Sequence, residues 1–394
     1  MIRWRPPVGD NVAAPAVAGS LLEQAIAASP DNPILRLKRA DLSLDRFDFA
    51  AAASDLEAAF RVDPALPGLR PRLARCRNAL GRHDEALAIG AAPGDTHALY
   101  QHGLALDALG RTDEAERTYR AVLDQDLHHR HACRKLCRLL RRAGRGAEML
   151  AVCDGLAARG VAHAQLFYDW GVAAALAGDA DRARALLFDR TRVAEMPLPV
   201  PDSFPDIAAF NAAVAEDILG NPHRLSEFDP REEANRGSSR VEALFAGRRP
   251  DMMRALLGIL QQLVEDYTAP PAGPFDPWRA ARPAAARLRA WGLIQRRSDH
   301  EEWHIHRGGW LSGVYYVRVP RGVSADGEGP GCIEFGPPRP VARARPGLIS
   351  TWRHAPQEGT LLLAPSHYSH RTIPSGADDY RISFAFDVVP DAEA

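Results

Sequence analysis

Near its C-terminal end the chain reads Trp303-His304-Ile305-His306-Arg307-Gly308-Gly309-Trp310-Leu311-Ser312-Gly313-Val314-Tyr315-Tyr316-Val317. His304 and His306 are two residues apart, and a glycine-containing turn separates them from an apolar run typical of a β-strand. In an extended strand, residues i and i+2 point to the same face. Extended backbone would therefore let the two imidazoles converge on one point, as a metal ion requires.

A second histidine-bearing turn follows downstream of this stretch. It comes after another apolar strand, at 359–365, and contains His370. The run 380–386 then alternates in polarity, which places Arg381 and Ser383 on one face of a predicted strand. His370 lies 64 positions after His306, which leaves room for several intervening strands.

The order of these motifs resembles the iron(II)/2-oxoglutarate-dependent oxygenases. Those enzymes have a metal site of the form H-x-D/E…H and an Arg-x-Ser after the distal histidine. More narrowly, His-x-His…Leu-Ser-Gly-Val-Tyr-Tyr-Val is similar to a bacterial and phage subfamily, over roughly residues 200–394. The resemblance implies a double-stranded β-helix (a jelly roll) with supporting helices. It also implies Fe(2+) and 2-oxoglutarate as cofactors of a dioxygenase that hydroxylates its substrate.

Carried over to this chain, the resemblance gives roles to six residues. It implies that the metal is bound by His304, His306 and His370. It implies that the distal carboxylate of 2-oxoglutarate is bound by Arg381, Ser383 and Tyr316. A guanidinium suits that task because it binds a carboxylate in a bidentate way. We expect no catalytic residues beyond the metal ligands.

His306 occupies a position where most of the superfamily has aspartate or glutamate. It is either a third ligand, which surrounds the metal with neutral imidazoles, or a bystander beside a two-histidine site. A carboxylate could then come from one of three nearby acids, Asp299, Glu301 or Glu302. For the distal histidine, the spacing to Arg381 favours His370 over His367.

An alternative reading is the zinc-protease motif H-E-x-x-H, which His300-Glu301-Glu302-Trp303-His304 matches. That motif needs a helix, because only there do both histidines share a face. Residues 295–302 offer no apolar stripe to bury such a helix, and Gly308 with Gly309 would end it within a turn. The context therefore favours the oxygenase interpretation.

The first half of the chain is a repeat array. Ala-Leu-Gly-Arg-His-Asp-Glu-Ala at 79–86 recurs, with one substitution, at 108–115. The turn positions Phe47, Gly81, Gly110, Gly144 and Gly178 are 34, 29, 34 and 34 residues apart. This period, with small residues where two helices would pack closely, resembles the tetratricopeptide repeat. The resemblance implies stacked helical hairpins that hold a peptide or a protein segment.

We therefore predict a multi-domain α + β chain with an α-helical solenoid followed by a β-domain. The predicted parts are a tetratricopeptide domain at 1–190, a proline-rich linker at 191–205 and an oxygenase domain at 206–394. Helical periodicity predicts supporting helices at 207–219 and 250–267. The main alternative function is a non-catalytic scaffold that binds peptides and retains a degenerate oxygenase fold.

Composition limits the possible partners. The chain has 394 residues, 46% of them hydrophobic, and a net charge of −1, which gives no electrostatic case for nucleic acid or an anionic membrane. Its five cysteines are scattered, as expected in a reducing compartment. No window approaches the length of a membrane span. We expect a cytoplasmic protein whose partner is a peptide or protein substrate held by the repeats.

Overall fold

The computed structural model describes residues 1–7, 15–90, 94–226, 234–270, 276–321, 323 and 329–391. Internal packing divides the chain into two compact units. The first unit is Asn11–Gly144, and the second joins Met1–Asp10 to Arg145–Ala394.

Helical hairpins build the first unit. Its helices within the described residues are α1 (Pro15–Ala28), α2 (Pro33–Asp45), α3 (Phe49–Val62), α4 (Leu69–Ala79), α5 (His83–Ile89), α6 (Thr96–Ala108), α7 (Thr112–Gln125) and α8 (Arg130–Arg142). The predicted turn positions in this unit all have left-handed backbone, with φ of 58° at Phe47, 75° at Gly81, 75° at Gly110 and 70° at Gly144. This conformation ends one helix and reverses the chain into the next, and glycine adopts it without strain. The prediction of repeated hairpins is confirmed.

Small residues allow the paired helices to approach closely. A Cβ atom added to Gly103 of α6 would lie 2.7 Å from the ring of Tyr119 on α7. Tyr119 is fully buried, as is Ala115 one turn earlier on the same helix. The spacing of glycine, alanine and tyrosine that identifies the repeat is therefore the spacing of its helix–helix contact.

The second unit begins with helices and continues into strands. Its helices are α9 (Gly146–Ala158), α10 (Ala164–Ala177), α11 (Ala180–Leu187), α12 (Ile207–Leu219), α13 (Pro250–Thr268), α14 (Pro277–Ala280) and α15 (Arg339–Ala344). The hairpin of α10 and α11 turns at Gly178, whose φ is 93°. Helices α12 and α13 confirm the two supporting helices predicted from periodicity, the first with identical bounds.

The strands form one large and two small sheets. They are β1 (Arg3–Trp4), β2 (Ala194–Pro197), β3 (Arg224–Leu225), β4 (Asn235–Arg236), β5 (Ser239–Val241), β6 (Ala285–Gln295), β7 (His300–Glu301), β8 (Leu311–Arg318), β9 (Ile333–Phe335), β10 (Trp352–His354), β11 (Thr360–Pro365), β12 (His370–Thr372) and β13 (Arg381–Pro390). The large sheet has the order β2-β11-β8-β13-β6-β5-β3, with β1 beside β6. The other sheets are β10-β9-β12 and β4-β7.

The large sheet packs face to face with the three-stranded sheet. Tyr316, Leu362 and Ala364 of the large sheet lie in one buried cluster with Ile333 and Phe335 of β9. Apart from the β1–β6 pair, the strands are paired in an antiparallel way. Helical repeats followed by an antiparallel β-domain confirm the predicted fold class. The finer description as a double-stranded β-helix stays a prediction.

The predicted proline-rich linker contains a strand of the large sheet. Residues Ala194–Pro197 form β2, which pairs with β11 in the register Met196↔Leu361. Proline is tolerated here because β2 is the edge strand and Pro197 is its last residue. The division into compact units falls at 144/145, whereas the predicted domain boundaries fall at 190 and 206. Those boundaries remain predictions.

Two further findings concern membrane-spanning helices and the cysteines. Among the described residues, no helix is both long enough and apolar enough to cross a membrane. The five cysteines are free thiols, and all of them are buried.

Candidate metal centre

Three histidines meet where the two histidine-bearing turns pair with each other. The backbone N–H of His304 donates to the carbonyl of His370 at 3.0 Å, and the reverse bond is 3.1 Å. Two residues along, the N–H of His306 donates to the carbonyl of Ser366 at 2.9 Å. The potential ligand atoms of the three imidazoles all lie within 4.8 Å of one another. The structure thus brings together the three predicted metal ligands.

Hydrogen bonds orient the imidazoles toward a common centre. Nδ1 of His304 donates to the carbonyl of Glu302 at 2.7 Å, and Nδ1 of His370 donates to that of Tyr368 at 2.9 Å. A carbonyl oxygen only accepts, so the proton of each neutral ring is on Nδ1 and the lone pair is on Nε2. Nε2 of His304 lies 3.2 Å from Nε2 of His306. Inward-facing lone pairs at this separation suit a shared cation.

The electrostatic environment keeps two of the three rings neutral. Burial lowers the pKa of His370 to about 3 and the pKa of His304 well below its ordinary value, and the neighbouring imidazoles lower both further. Neutral imidazole is the form that binds a metal. For His306, burial also lowers the pKa, but the carboxylate of Asp387 more than offsets this and leaves the pKa raised.

Asp387 is a member of the centre that the sequence did not reveal. Its Oδ1 accepts from Nδ1 of His306 at 2.6 Å and from the hydroxyl of Ser312 at 2.6 Å. The hydroxyls of Ser312 and Ser366 are 2.7 Å apart. Burial acts to raise the pKa of Asp387, but His306 and Ser312 together lower it below its ordinary value. Each ring therefore has a fixed Nδ1 partner, and one of those partners is a carboxylate.

Helix α10 supports both histidine-bearing turns from within the second unit. Nε of Arg307, directly after His306, donates to Oε1 of Gln165 at 3.0 Å. The ring of Phe167 lies 5.2 Å from that of His367 on the other turn. The helix that the repeat pattern assigns to the last hairpin is thus part of the packing around the candidate metal centre.

A second cluster of polar groups lies buried on the neighbouring strands β8 and β13. Tyr316 and Ser383 are paired in register, and the guanidinium of Arg381 lies 5.6 Å from the centre of the Tyr316 ring. The three residues are 0%, 1% and 3% exposed, respectively. Nη1 of Arg381 donates to the carbonyl of Gly331 at 2.8 Å. The structure thus also brings together the three residues predicted to bind a carboxylate.

Three polar atoms of this cluster have no hydrogen-bond partner within the described residues. They are Nε of Arg381, the hydroxyl of Tyr316 and Oγ of Ser383. Leaving such groups buried and unpaired is costly, so each calls for a partner. Burial lowers the pKa of Arg381 and raises the pKa of Tyr316 to about 12, which keeps the phenol a hydrogen-bond donor. A bound carboxylate would satisfy the arginine and the phenol, and would accept from the serine.

The structure also bears on the alternatives to this set of residues. His300 and Glu301 form strand β7, paired with β4, so the helix required by H-E-x-x-H is absent and the protease interpretation is wrong. His367 is buried but lies outside the histidine group, as do the three acids considered as extra ligands. Asp299 is engaged elsewhere, since it accepts from the backbone N–H of Arg296 at 2.8 Å.

Comparison with protein families gives two matches. The family described as "Putative 2OG-Fe(II) oxygenase" matches residues 289–387, a range that includes all six predicted site residues and ends at Asp387. A tetratricopeptide-repeat family matches residues 97–126. No curated protein matches the chain.

The chain is weakly similar to solved structures of two kinds, an alpha ketoglutarate dependent enzyme and tetratricopeptide repeat proteins. SnoN, described as a non-heme alpha ketoglutarate dependent epimerase from nogalamycin biosynthesis, is 16% identical with a TM-score of 0.36, over 54% of this chain and 84% of that chain. A tetratricopeptide repeat protein from Parabacteroides merdae ATCC 43184 is 15% identical with a TM-score of 0.35, over 45% and 74%. YrrB, a TPR protein with an unusual peptide-binding site, is 19% identical with a TM-score of 0.34, over 44% and 95%. The chain thus carries a tetratricopeptide repeat and, at its C-terminal end, a domain that matches the 2OG-Fe(II) oxygenase family.

Proposed function

We propose that this protein is an Fe(II)- and 2-oxoglutarate-dependent dioxygenase that hydroxylates a peptide or protein side chain. One observation carries the proposal. Three imidazole Nε2 atoms converge at one point, and an arginine, a phenol and a hydroxyl lie buried without full hydrogen bonding in the same domain. A metal and a carboxylate would satisfy the two groups of atoms, respectively.

The metal would be held by His304, His306 and His370. Their Nδ1 atoms are engaged by oxygen acceptors, which leaves Nε2 as the ligand atom of each ring. Three imidazole ligands would leave room at the metal for the cosubstrate. Iron with 2-oxoglutarate would supply oxidative chemistry, in which O2 and 2-oxoglutarate would be converted to succinate and CO2 as the substrate gains a hydroxyl group. The protein's own part is to hold this geometry and exclude water.

Strand β13 would hold both ends of the cosubstrate site. Arg381 and Ser383 lie at its beginning, and Asp387, which contacts the ligand His306, lies further along. A dicarboxylate would be bound by the metal at one end and by the guanidinium of Arg381 at the other, an arrangement that favours a ligand with two negative charges.

The repeats supply the argument for a peptide or protein substrate. Arrays of helical hairpins present extended surfaces that suit segments of polypeptide. The inference of a peptide or protein substrate rests on the fold of the repeats and not on the metal site. The two inferences are therefore tested separately.

The test of the chemistry is a spectrum. Fe(II) and 2-oxoglutarate, added without oxygen, should give a visible charge-transfer band that His304→Ala and His370→Ala each abolish. His300→Ala is the matched control, because His300 is nearby and partly exposed but outside the histidine group. A band that survives both ligand substitutions would refute the assignment, and so would the lack of a band in the unaltered protein.

The test of the substrate class is a peptide library incubated with the complete system. An enzyme of the proposed kind should add one oxygen atom to a subset of peptides, and His304→Ala should not. A non-catalytic scaffold would bind the same peptides with equal affinity in both forms and leave their masses unchanged.

A further inference from the structure

The three candidate ligands differ in what their Nδ1 atoms contact. Those of His304 and His370 donate to backbone carbonyls. Only that of His306 donates to a carboxylate, at 2.6 Å from Oδ1 of Asp387. His306 also occupies the position where most of the oxygenases that the chain resembles have aspartate or glutamate.

The carboxylate of Asp387 is committed to this contact. Its side chain is 11% exposed, and within the described residues its only ion pair is the one with His306. The hydroxyl of Ser312, directly across the strand pair, donates to the same oxygen. Gly309 makes room for the group, since a Cβ there would lie 2.5 Å from Oγ of Ser366 and 3.1 Å from Cβ of Asp387. Asp387 is therefore oriented from two sides.

The hydrogen bond between His306 and Asp387 affects the net charge of the candidate metal centre. A divalent ion surrounded by neutral imidazoles keeps its full charge, whereas one ligand carboxylate neutralises half of it. A carboxylate that accepts from the far nitrogen of a ligating histidine makes that histidine more basic and fixes its ring. A histidine ligand bonded to a carboxylate in this way therefore offsets part of the metal's positive charge, as a carboxylate ligand would do directly.

We propose that Asp387, acting through His306, supplies the negative charge that a ligand carboxylate provides in most sites of this kind. The inference rests on the metal centre of the proposed function. Asp387 is a positioning residue, because it contacts a ligand and not the metal. It would make His306 a true third ligand rather than a bystander.

The experiment measures binding of Co(2+) alone to the full chain, followed by the visible absorption of the bound ion. Asp387→Asn preserves the shape of the side chain and removes its charge. We expect it to weaken Co(2+) binding by roughly 10- to 100-fold. Ser312→Ala is the matched control, because it removes one hydrogen bond to the same carboxylate and leaves the charge. We expect its effect to be less than about fivefold.

A double-substitution cycle separates a role through His306 from a general structural role. In a His306→Ala background, Asp387→Asn should cause no further loss of affinity, because the path from the carboxylate to the metal is already cut. An equal loss in both backgrounds would overturn the proposal. Asp387→Glu, which retains the charge, should keep more affinity than Asp387→Asn, and equal losses would count against the charge argument. Should Asp387→Asn fail to fold, Asp387→Ser takes its place in the cycle.

The same titrations distinguish this inference from the proposed function. If His306→Ala binds Co(2+) as tightly as the unaltered protein does, His306 is a bystander and the inference falls. A site formed by His304 and His370 would then still support the proposed function. If the unaltered protein does not bind Co(2+), both fall together.

Discussion

Replacing Arg381 by glutamine should separate binding of the cosubstrate from binding of the metal. Arg381 is 3% exposed. Within the described residues its Nη1 donates to the carbonyl of Gly331 and its Nε has no partner. Within the described residues, it has no ion pair with a carboxylate. Arg381 is thus a buried cation whose counter-ion would be the ligand.

The size of the expected loss of 2-oxoglutarate affinity follows from the lack of an ion pair at Arg381 within the described residues. Removing one partner of a buried ion pair costs about 3 to 5 kcal/mol. Each factor of ten in affinity is about 1.4 kcal/mol, so Arg381→Gln should weaken 2-oxoglutarate binding by roughly two to nearly four powers of ten. The stability of the ligand-free protein, by contrast, should not fall. Without ligand, the free energy of unfolding should stay unchanged or rise by up to about 3 kcal/mol, because an unsatisfied buried charge has been removed.

The assay is a 2-oxoglutarate titration of the Fe(II) protein without oxygen, combined with urea unfolding of the ligand-free protein. Arg318→Gln is the matched control. Arg318 lies on β8, the strand that pairs with the Arg381-bearing strand β13. Its side chain is 42% exposed, and its ion pair with Asp379, at 2.8 Å, faces solvent. Affinity for the metal should be the same in both variants, because neither arginine is a ligand.

Two results would refute this reasoning. One is an affinity of Arg381→Gln for 2-oxoglutarate within about threefold of the unaltered value, which would mean that the guanidinium does not meet the ligand. The other is a loss of several kcal/mol of stability without ligand, which would mean that the arginine is a structural element whose environment is already satisfied.

Three other predictions concern stability, each measured by urea unfolding. Gly103→Ala should cost about 1 to 3 kcal/mol because its Cβ would meet the ring of Tyr119 at 2.7 Å, whereas Gly155→Ala, where no atom lies within 4 Å, should gain up to about 1 kcal/mol; equal effects would contradict the packing argument. Glu334→Gln should cost about 1 to 3 kcal/mol, since the buried carboxylate accepts from two partly exposed arginines; an unchanged midpoint would show that those contacts are worth little. Burial lowers the pKa of His367 to about 3, so the folded state stays neutral while the unfolded chain takes up a proton as pH falls below its ordinary pKa. The metal-free protein should therefore lose about 1.4 kcal/mol between pH of about 7.5 and 5.5 from this residue alone, a loss that His367→Gln should lack.

The parts of the site that could be predicted from the sequence are those set by local period. His304 and His306 are two apart in extended backbone, and Arg381 and Ser383 are two apart on one strand. Such spacings have a direct geometric meaning. The repeat turns were equally visible, because a helix that must reverse needs a left-handed residue at a fixed interval.

Asp387 could not be predicted in this way. Its contact with His306 joins positions 81 apart in the chain and depends on the register in which β8 pairs with β13. A single signal was present, namely a carboxylate inside the otherwise apolar run from Phe386 to Val388. A charge in a buried strand requires a partner, but the identity of that partner is a property of the fold and not of the spacing.

Strand β2 has a practical consequence for anyone who isolates the β-domain. It covers the free edge of β11, an apolar strand whose backbone would otherwise be left unpaired. A shortened chain that begins at residue 206 would expose that edge, and exposed apolar edges invite self-association between molecules. Chains that begin ahead of Ala194 would keep the edge closed and should stay dispersed at concentrations where the shorter ones precipitate.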